Sequence, residues 1–283
     1  MSSLKKFLNM IKFEHTIFAL PFAYIGMFMG FKDGFSLRIF LLVTVAMASA
    51  RSAAMALNRI IDLKYDAMNE RTRNRELPSG KIKLKEAYLF TFISILIFEI
   101  TTYFINPLAF KLSPVALFFI LTYSYTKRFT ALCHLYLGIT DAIAPLGGYV
   151  AAAEKLSLPI WLLAGFVSFW IAGFDILYAL QDREFDRRAG LHSIPVSLGV
   201  KGAMVVARIF HFVAFLFLIA SMYLFKLSNF AYVGALVVAL LLFLEHRLVD
   251  PDDPKKINLA FFNINSYISV VLLISFLVGK YFG

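Results

Sequence analysis

Residues 39–66 read IFLLVTVAMASARSAAMALNRIIDLKYD. As far as Ile61 the stretch is apolar or small, with Arg51 and Arg59 its only ionisable residues, and it is long enough for a helix to cross the hydrocarbon core of a bilayer. Asn58, Asp62 and Asp66 then follow at i, i+4 and i+8. At about 100° per residue these three side chains share one face of a helix. The reading is a spanning helix whose end carries carboxylates, a costly arrangement unless they face water, a partner or a cation.

The same pattern recurs along the chain. Apolar segments run over about 13–31, 39–63, 87–105, 110–126, 134–153, 159–181, 203–225, 229–246 and 258–281. The 283 residues are 60% hydrophobic and 16% charged, against about 45–50% and about 25% in soluble domains. The expected fold is all-α, a polytopic membrane protein of about nine transmembrane helices around a central cavity. Residues 1–283 form one domain, with helix units near 39–153 and 159–281 as an internal repeat. Cys133 is the only cysteine, which excludes an intramolecular disulfide and a Cys-rich metal site.

Orientation follows from the loops. With the N-terminus in the cytoplasm, 19 of the 28 Lys and Arg fall on the cytoplasmic side, six fall opposite, and Arg51, Arg59 and Arg208 lie within helices. The formal charge of +10 is thus loop charge that orients a membrane protein, not the basic stripe of a nucleic-acid binder. The long loops 64–86, 182–202 and 247–257 share that side and form a cytoplasmic cap. With no organelle transit peptide in the sequence, a bacterial or archaeal cell (inner) membrane is expected.

A second acidic set matches the first. Asp175, Asp182 and Asp186 stand at i, i+7 and i+11, again on one helical face at the cytoplasmic end of an apolar segment. Each set leads into a basic stretch and a Pro/Ser/Gly turn, Leu77 to Gly80 in one case and Ile194 to Gly199 in the other. Asp62, Asp66, Asp182 and Asp186 bring four negative charges, which two divalent cations would neutralise. An all-oxygen set suits Mg²⁺, which uses one or two carboxylates and completes its shell with water and substrate phosphate. A phosphorylated substrate bridging the two sets then needs cations, and Arg71, Arg73, Arg75, Lys127 and Arg128 are placed for that. Arg51, two turns deeper than Asn58, either anchors a polar aromatic substrate through a carboxylate or pairs with a buried acid such as Asp175 or Asp141. There is no phosphate-binding glycine loop, dinucleotide fingerprint or HExxH zinc motif. The five histidines, including His15 in Phe13-Glu14-His15-Thr16, show no ligand spacing. An ion-coupled transporter using the acidic clusters is the alternative, but no charged relay continues to the other side.

At these residues the sequence resembles the UbiA superfamily of intramembrane aromatic prenyltransferases. Its first motif corresponds to Asn58 through Asp66, its second to Asp182-Arg183-Glu184-Phe185-Asp186 preceded by Asp175 and Tyr178. Tyr123 through Arg128 resembles its Tyr-Lys-Arg loop, and Arg71 through Gly80 its Arg-rich turn. Arg59 stands where many members carry Asp. The resemblance covers essentially the whole chain. It implies Mg²⁺ held by Asn58, Asp62, Asp66, Asp182 and Asp186, and a polyprenyl diphosphate held by Arg71, Arg75, Tyr123, Lys127, Arg128 and Tyr178. It further implies that Asp175 orients the hydroxyl of a small aromatic acceptor. The strings around Lys12–Thr16 and Ala50–Ala56 resemble the 4-hydroxybenzoate polyprenyltransferase-like branch, part of which serves menaquinone synthesis by the futalosine route with a dihydroxynaphthoate acceptor.

Overall fold

The computed structural model describes residues 3–11, 16–32 and 34–282. The string 12–15, with His15, lies outside them. The described residues fold as helices and loops without a strand. In order they are α1 (Ser3–Met10), α2 (Thr16–Gly30), α3 (Leu37–Ile61), α4 (Leu63–Met68), α5 (Leu84–Ile105), α6 (Pro107–Thr126), α7 (Cys133–Asp141), α8 (Ile143–Ala153) and α9 (Leu158–Tyr178). A 3₁₀ turn (Ala179–Asp182) leads to α10 (Arg183–Arg188), then α11 (Ile194–Leu224), α12 (Asn229–Leu248), α13 (Pro254–Leu259), a π turn (Ala260–Ile264) and α14 (Asn265–Tyr281). Among the described residues eight helical stretches are long and apolar enough to cross a membrane, and a ninth apolar helix, Ala19–Gly30, is shorter. The chain is a multi-pass membrane protein.

Local sequence explains where helices start. Ser36, Asn106 and Ser193 accept from the backbone N–H three residues on, and Asp253 accepts from Lys255 and Lys256, so each satisfies donors that a helix start leaves free. Pro107, Pro159, Pro195 and Pro254 sit in first turns, where a missing N–H costs nothing. Gly80 and Gly199, which end the two basic stretches, both hold positive φ, 73° and 70°, a region open to glycine at no steric cost.

α9 is the centre of the bundle. It is apolar on all sides, as a fully surrounded helix must be, and Leu163, Phe166, Trp170, Ile171 and Leu177 along it are buried. Phe166 stacks on Trp170, and Phe22 of α2 tilts against both. α2 and α8 approach backbone to backbone: a Cβ at Gly26 would run into the Pro145 carbonyl, and one at Gly148 into that of Ala23. Small residues allow such approach where lipid supplies no hydrophobic drive.

Two features of this bundle position the site. The loops after α3, α6 and α9 converge at one end, pinned by Lys127 O accepting from His192 N at 2.7 Å and by Arg128 donating to Ile61 O at 2.8 Å. Behind them lies an apolar cavity of about 590 Å³ walled by residues of α2, α3, α5, α6, α7, α8, α9 and α11, with Arg51 and Asp141 its charged lining residues. Val115, Ile139 and Trp161 line it and are also exposed on the outside of the bundle, so it opens sideways.

Candidate functional site

The first acidic set sits at a helix break. α3 ends at Ile61, Asp62 N–H still bonds to Asn58 O, and α4 restarts at Leu63. Asn58 Nδ2 donates to Asp62 Oδ2 at 2.9 Å and to Ser124 Oγ at 3.1 Å. Arg128 donates to Asp62 Oδ1 at 3.0 Å, its guanidinium lying against the rings of Tyr65 and Tyr125. Asp66 is buried, and Arg75 Nη1 reaches both of its oxygens at 2.8 and 2.9 Å.

The second set faces it. Arg71 forks onto Asp182, with Nε donating to Oδ1 at 2.9 Å and Nη2 to Oδ2, while its Nη1 donates to the Tyr178 hydroxyl at 3.1 Å. Asn69 Nδ2 adds a bond to Asp182 Oδ1 at 3.2 Å. Lys127 Nζ lies 2.8 Å from Asp186 Oδ2. Burial of Lys127 favours its neutral form, but the Asp186 carboxylate outweighs this and holds the ammonium above the usual lysine range. The four aspartates are therefore matched with four cations, Asp62 with Arg128, Asp66 with Arg75, Asp182 with Arg71 and Asp186 with Lys127. Two of these pairs, Arg71 with Asp182 and Lys127 with Asp186, join the loop after α4 or α6 to the segment after α9.

Of the two expected helical faces, the second needs correction. The first keeps its i, i+4 bonds through the turn at Asp62, with Asn58 and Asp62 in contact, whereas the 3₁₀ turn 179–182 breaks the second. A 3₁₀ turn has about three residues per turn, so it rotates the downstream residues relative to an α-helical extrapolation. Asp175 has a partner of its own: its Oδ2 is 2.7 Å from His134 Nδ1. Arg59 is buried and bonds to Met10 O and Asn58 Oδ1, tethering α1. The Tyr123 hydroxyl is used on Ala54 O of α3, at 3.3 Å, and Arg73 is exposed.

Oxygen donors alone suit a hard divalent cation, and one observation favours it. Asp186 is 1% exposed, and its Oδ1 accepts no hydrogen bond, which is costly for a carboxylate unless something else meets it. Among the described residues no three His, Cys, Asp or Glu side chains converge as a closed cage. Mg²⁺ does not need one, since one or two carboxylates plus phosphate complete its shell.

Between cap and cavity lies a second polar layer. Arg51 Nη1 is 4.0 Å from Asp141 Oδ1, and Arg51 Nε is buried without a partner. Of the two readings of Arg51, the acid partner Asp141 is present, but the contact leaves most of the guanidinium's donors unused. Sequence reasoning missed Asn69, Ser124 and His134. The first two meet partners 113 and 66 residues away with no spacing to betray them, and His134 meets an acid 41 residues away.

A charged end backed by a greasy chamber suits an amphiphile with an anionic head. The chain belongs to the UbiA prenyltransferase family, whose profile matches residues 19–267, and it is a prenyltransferase. It is 31% identical to a 4-hydroxybenzoate octaprenyltransferase of Methylobacillus flagellatus over 253 residues, 89% of this chain and 84% of that one. A UbiA homolog from Aeropyrum pernix K1, solved in its apo state, matches with a TM-score of 0.85 at 36% identity, covering 94% of this chain and 98% of that one. A UbiA homolog from Archaeoglobus fulgidus bound to DMAPP and Mg²⁺ shares the fold, with a TM-score of 0.73 at 18% identity over 94% of this chain and 99% of that one.

Proposed function

We propose that this protein transfers a polyprenyl group from polyprenyl diphosphate to a ring carbon of a small aromatic carboxylate, in ubiquinone or menaquinone biosynthesis. The observation that carries the reading is the matching of Asp62, Asp66, Asp182 and Asp186 with Arg128, Arg75, Arg71 and Lys127 at the mouth of an apolar cavity. Asn58 and the four aspartates would hold Mg²⁺, the ion bound with DMAPP in the Archaeoglobus homolog. When bound, the metal supplies positive charge against the diphosphate oxygens.

The chain's own residues do the rest. Arg71, Arg75, Lys127 and Arg128 grip the diphosphate and stabilise the charge that grows as it leaves. Tyr178 steadies Arg71 through its hydroxyl. The apolar cavity takes the tail and excludes water, which suppresses hydrolysis. Arg51 anchors the acceptor's carboxylate, and Asp175 orients its hydroxyl. The C–O bond to the diphosphate breaks with its electron pair on oxygen, a ring carbon forms the new C–C bond, and the ring proton is lost. The acceptor to test first is 4-hydroxybenzoate, the one named in the Methylobacillus relative; a dihydroxynaphthoate is the second. The setting is the cell (inner) membrane, with the N-terminus and the cap in the cytoplasm.

The test is transfer from a labelled allylic diphosphate to either acceptor by purified protein, with Mg²⁺ or with EDTA. Transfer is expected with Mg²⁺ and absent with EDTA. Asp62→Ala and Asp182→Ala should each lower the rate by about 100-fold or more while the protein still folds. Full activity in either variant, or metal-independent transfer, would sink the reading.

A further inference from the structure

We propose that His134 is a positioning residue, holding one oxygen of Asp175 so that the other is presented to the hydroxyl of the aromatic acceptor. The inference rests on the acceptor reading given above. His134 opens α7, and its side chain is only 4% exposed. Its Nδ1 is 2.7 Å from Asp175 Oδ2, and the Ile194 backbone N–H points at its Nε2 from 3.4 Å. A backbone N–H can only donate, so Nε2 is the acceptor and the ring proton sits on Nδ1, aimed at the carboxylate. One ring thereby ties α7, α9 and the start of α11.

The direction in which Asp175 is held matters. His134 lies seven residues before Asp141 on α7, and Asp175 seven after Ser168 on α9. Both Asp141 and Ser168 line the cavity, and a seven-residue step returns to the same helical face two turns along. Asp175 is therefore above the cavity on the side of the cap, in the layer that also contains Arg51. Its side chain keeps 24% exposure, and Oδ1 makes none of the bonds made by Oδ2. An ionised carboxylate only accepts, so Oδ1 is suited to a phenolic hydroxyl. A free carboxylate rotates, whereas one clamped through Oδ2 presents a fixed acceptor, and small errors in placement cost rate steeply.

The test compares kcat and KM for both substrates in full-length wild type, His134→Leu, His134→Gln and His134→Asn. The Asn amide nitrogen reaches roughly where Nδ1 sits, and the Gln amide roughly where Nε2 sits. His134→Leu and His134→Gln should lower kcat by about 100-fold with KM for the diphosphate unchanged, and His134→Asn should recover at least about tenfold of that loss. If His134→Leu does not fold, the Asn and Gln pair decides, because both are polar and only one keeps the donor in place. Equal activity in that pair, or wild-type kcat in His134→Leu, overturns this inference alone. A wild type that transfers to neither acceptor overturns the acceptor reading and takes the inference with it.

Discussion

Arg51 carries five N–H donors, yet meets one carboxylate at 4.0 Å and leaves Nε bare inside the protein. A planar guanidinium matches a carboxylate in a way an ammonium does not. Arg51→Leu is therefore expected to raise KM for the acceptor by about tenfold or more, the equivalent of one lost charge-assisted bond, and to leave KM for the diphosphate unchanged. Arg51→Lys should recover only part of the loss. An unchanged acceptor KM in Arg51→Leu would assign Arg51 to Asp141 alone. At this scale the acidic residues were legible in the sequence, because carboxylates at the ends of apolar segments have few innocent explanations. Their four cations were legible as a group, but not who pairs with whom. Nothing in the sequence marks Arg71 for Asp182 or Arg75 for Asp66, since both choices depend on how one loop folds back. Arg59 shows the limit in the other direction: it holds Asn58 Oδ1 and also reaches Met10 O of α1, a bond that no spacing marks.

Helices were legible by length and composition, and their interruptions were not. The π turn Ala260–Ile264 is the clearest case. An inserted π turn leaves carbonyls without their regular partner, and the Asn265 side chain, fully buried, meets those of Ala260 and Phe261 at 3.4 and 3.2 Å. Its amide also donates to Glu245 Oε1 at 2.8 Å, and its carbonyl accepts from Trp170 Nε1 at 2.9 Å. The turn sets Phe261 against Tyr178, with ring centroids 4.2 Å apart, and Tyr178 in turn receives Arg71. Asn265→Leu strands the Trp170 donor and the Glu245 acceptor, at about 1–3 kcal/mol each. A lower thermal midpoint in detergent is expected, together with weaker diphosphate binding as Tyr178 loses its backing. Asn265→Asp keeps the acceptor for Trp170 but puts a carboxylate against Glu245, and should be no better. A wild-type midpoint for Asn265→Leu would show that the turn forms without its side-chain bridge.

For the whole molecule, the order of spans follows from hydropathy, but the packing that makes a chamber inside them does not. The chamber is bounded by seams that close tightly, α2 on α8 at Gly26 and Gly148 and α7 on α9 at Gly138, with residues of α3, α5 and α6 completing its wall. Gly148→Leu forces the first seam apart; overpacking of this kind costs about 1–3 kcal/mol or more, and a lower thermal midpoint should report it. The sideways opening at Val115, Ile139 and Trp161 has a kinetic consequence. A lipid donor entering there is met in two dimensions, so its effective concentration is its mole fraction in the bilayer. Diluting the donor with inert phospholipid at constant total amount should slow the reaction, and adding buffer at constant lipid composition should not. An enzyme of this shape reads the composition of its membrane directly, and the supply of isoprenoid relative to bulk lipid sets its rate.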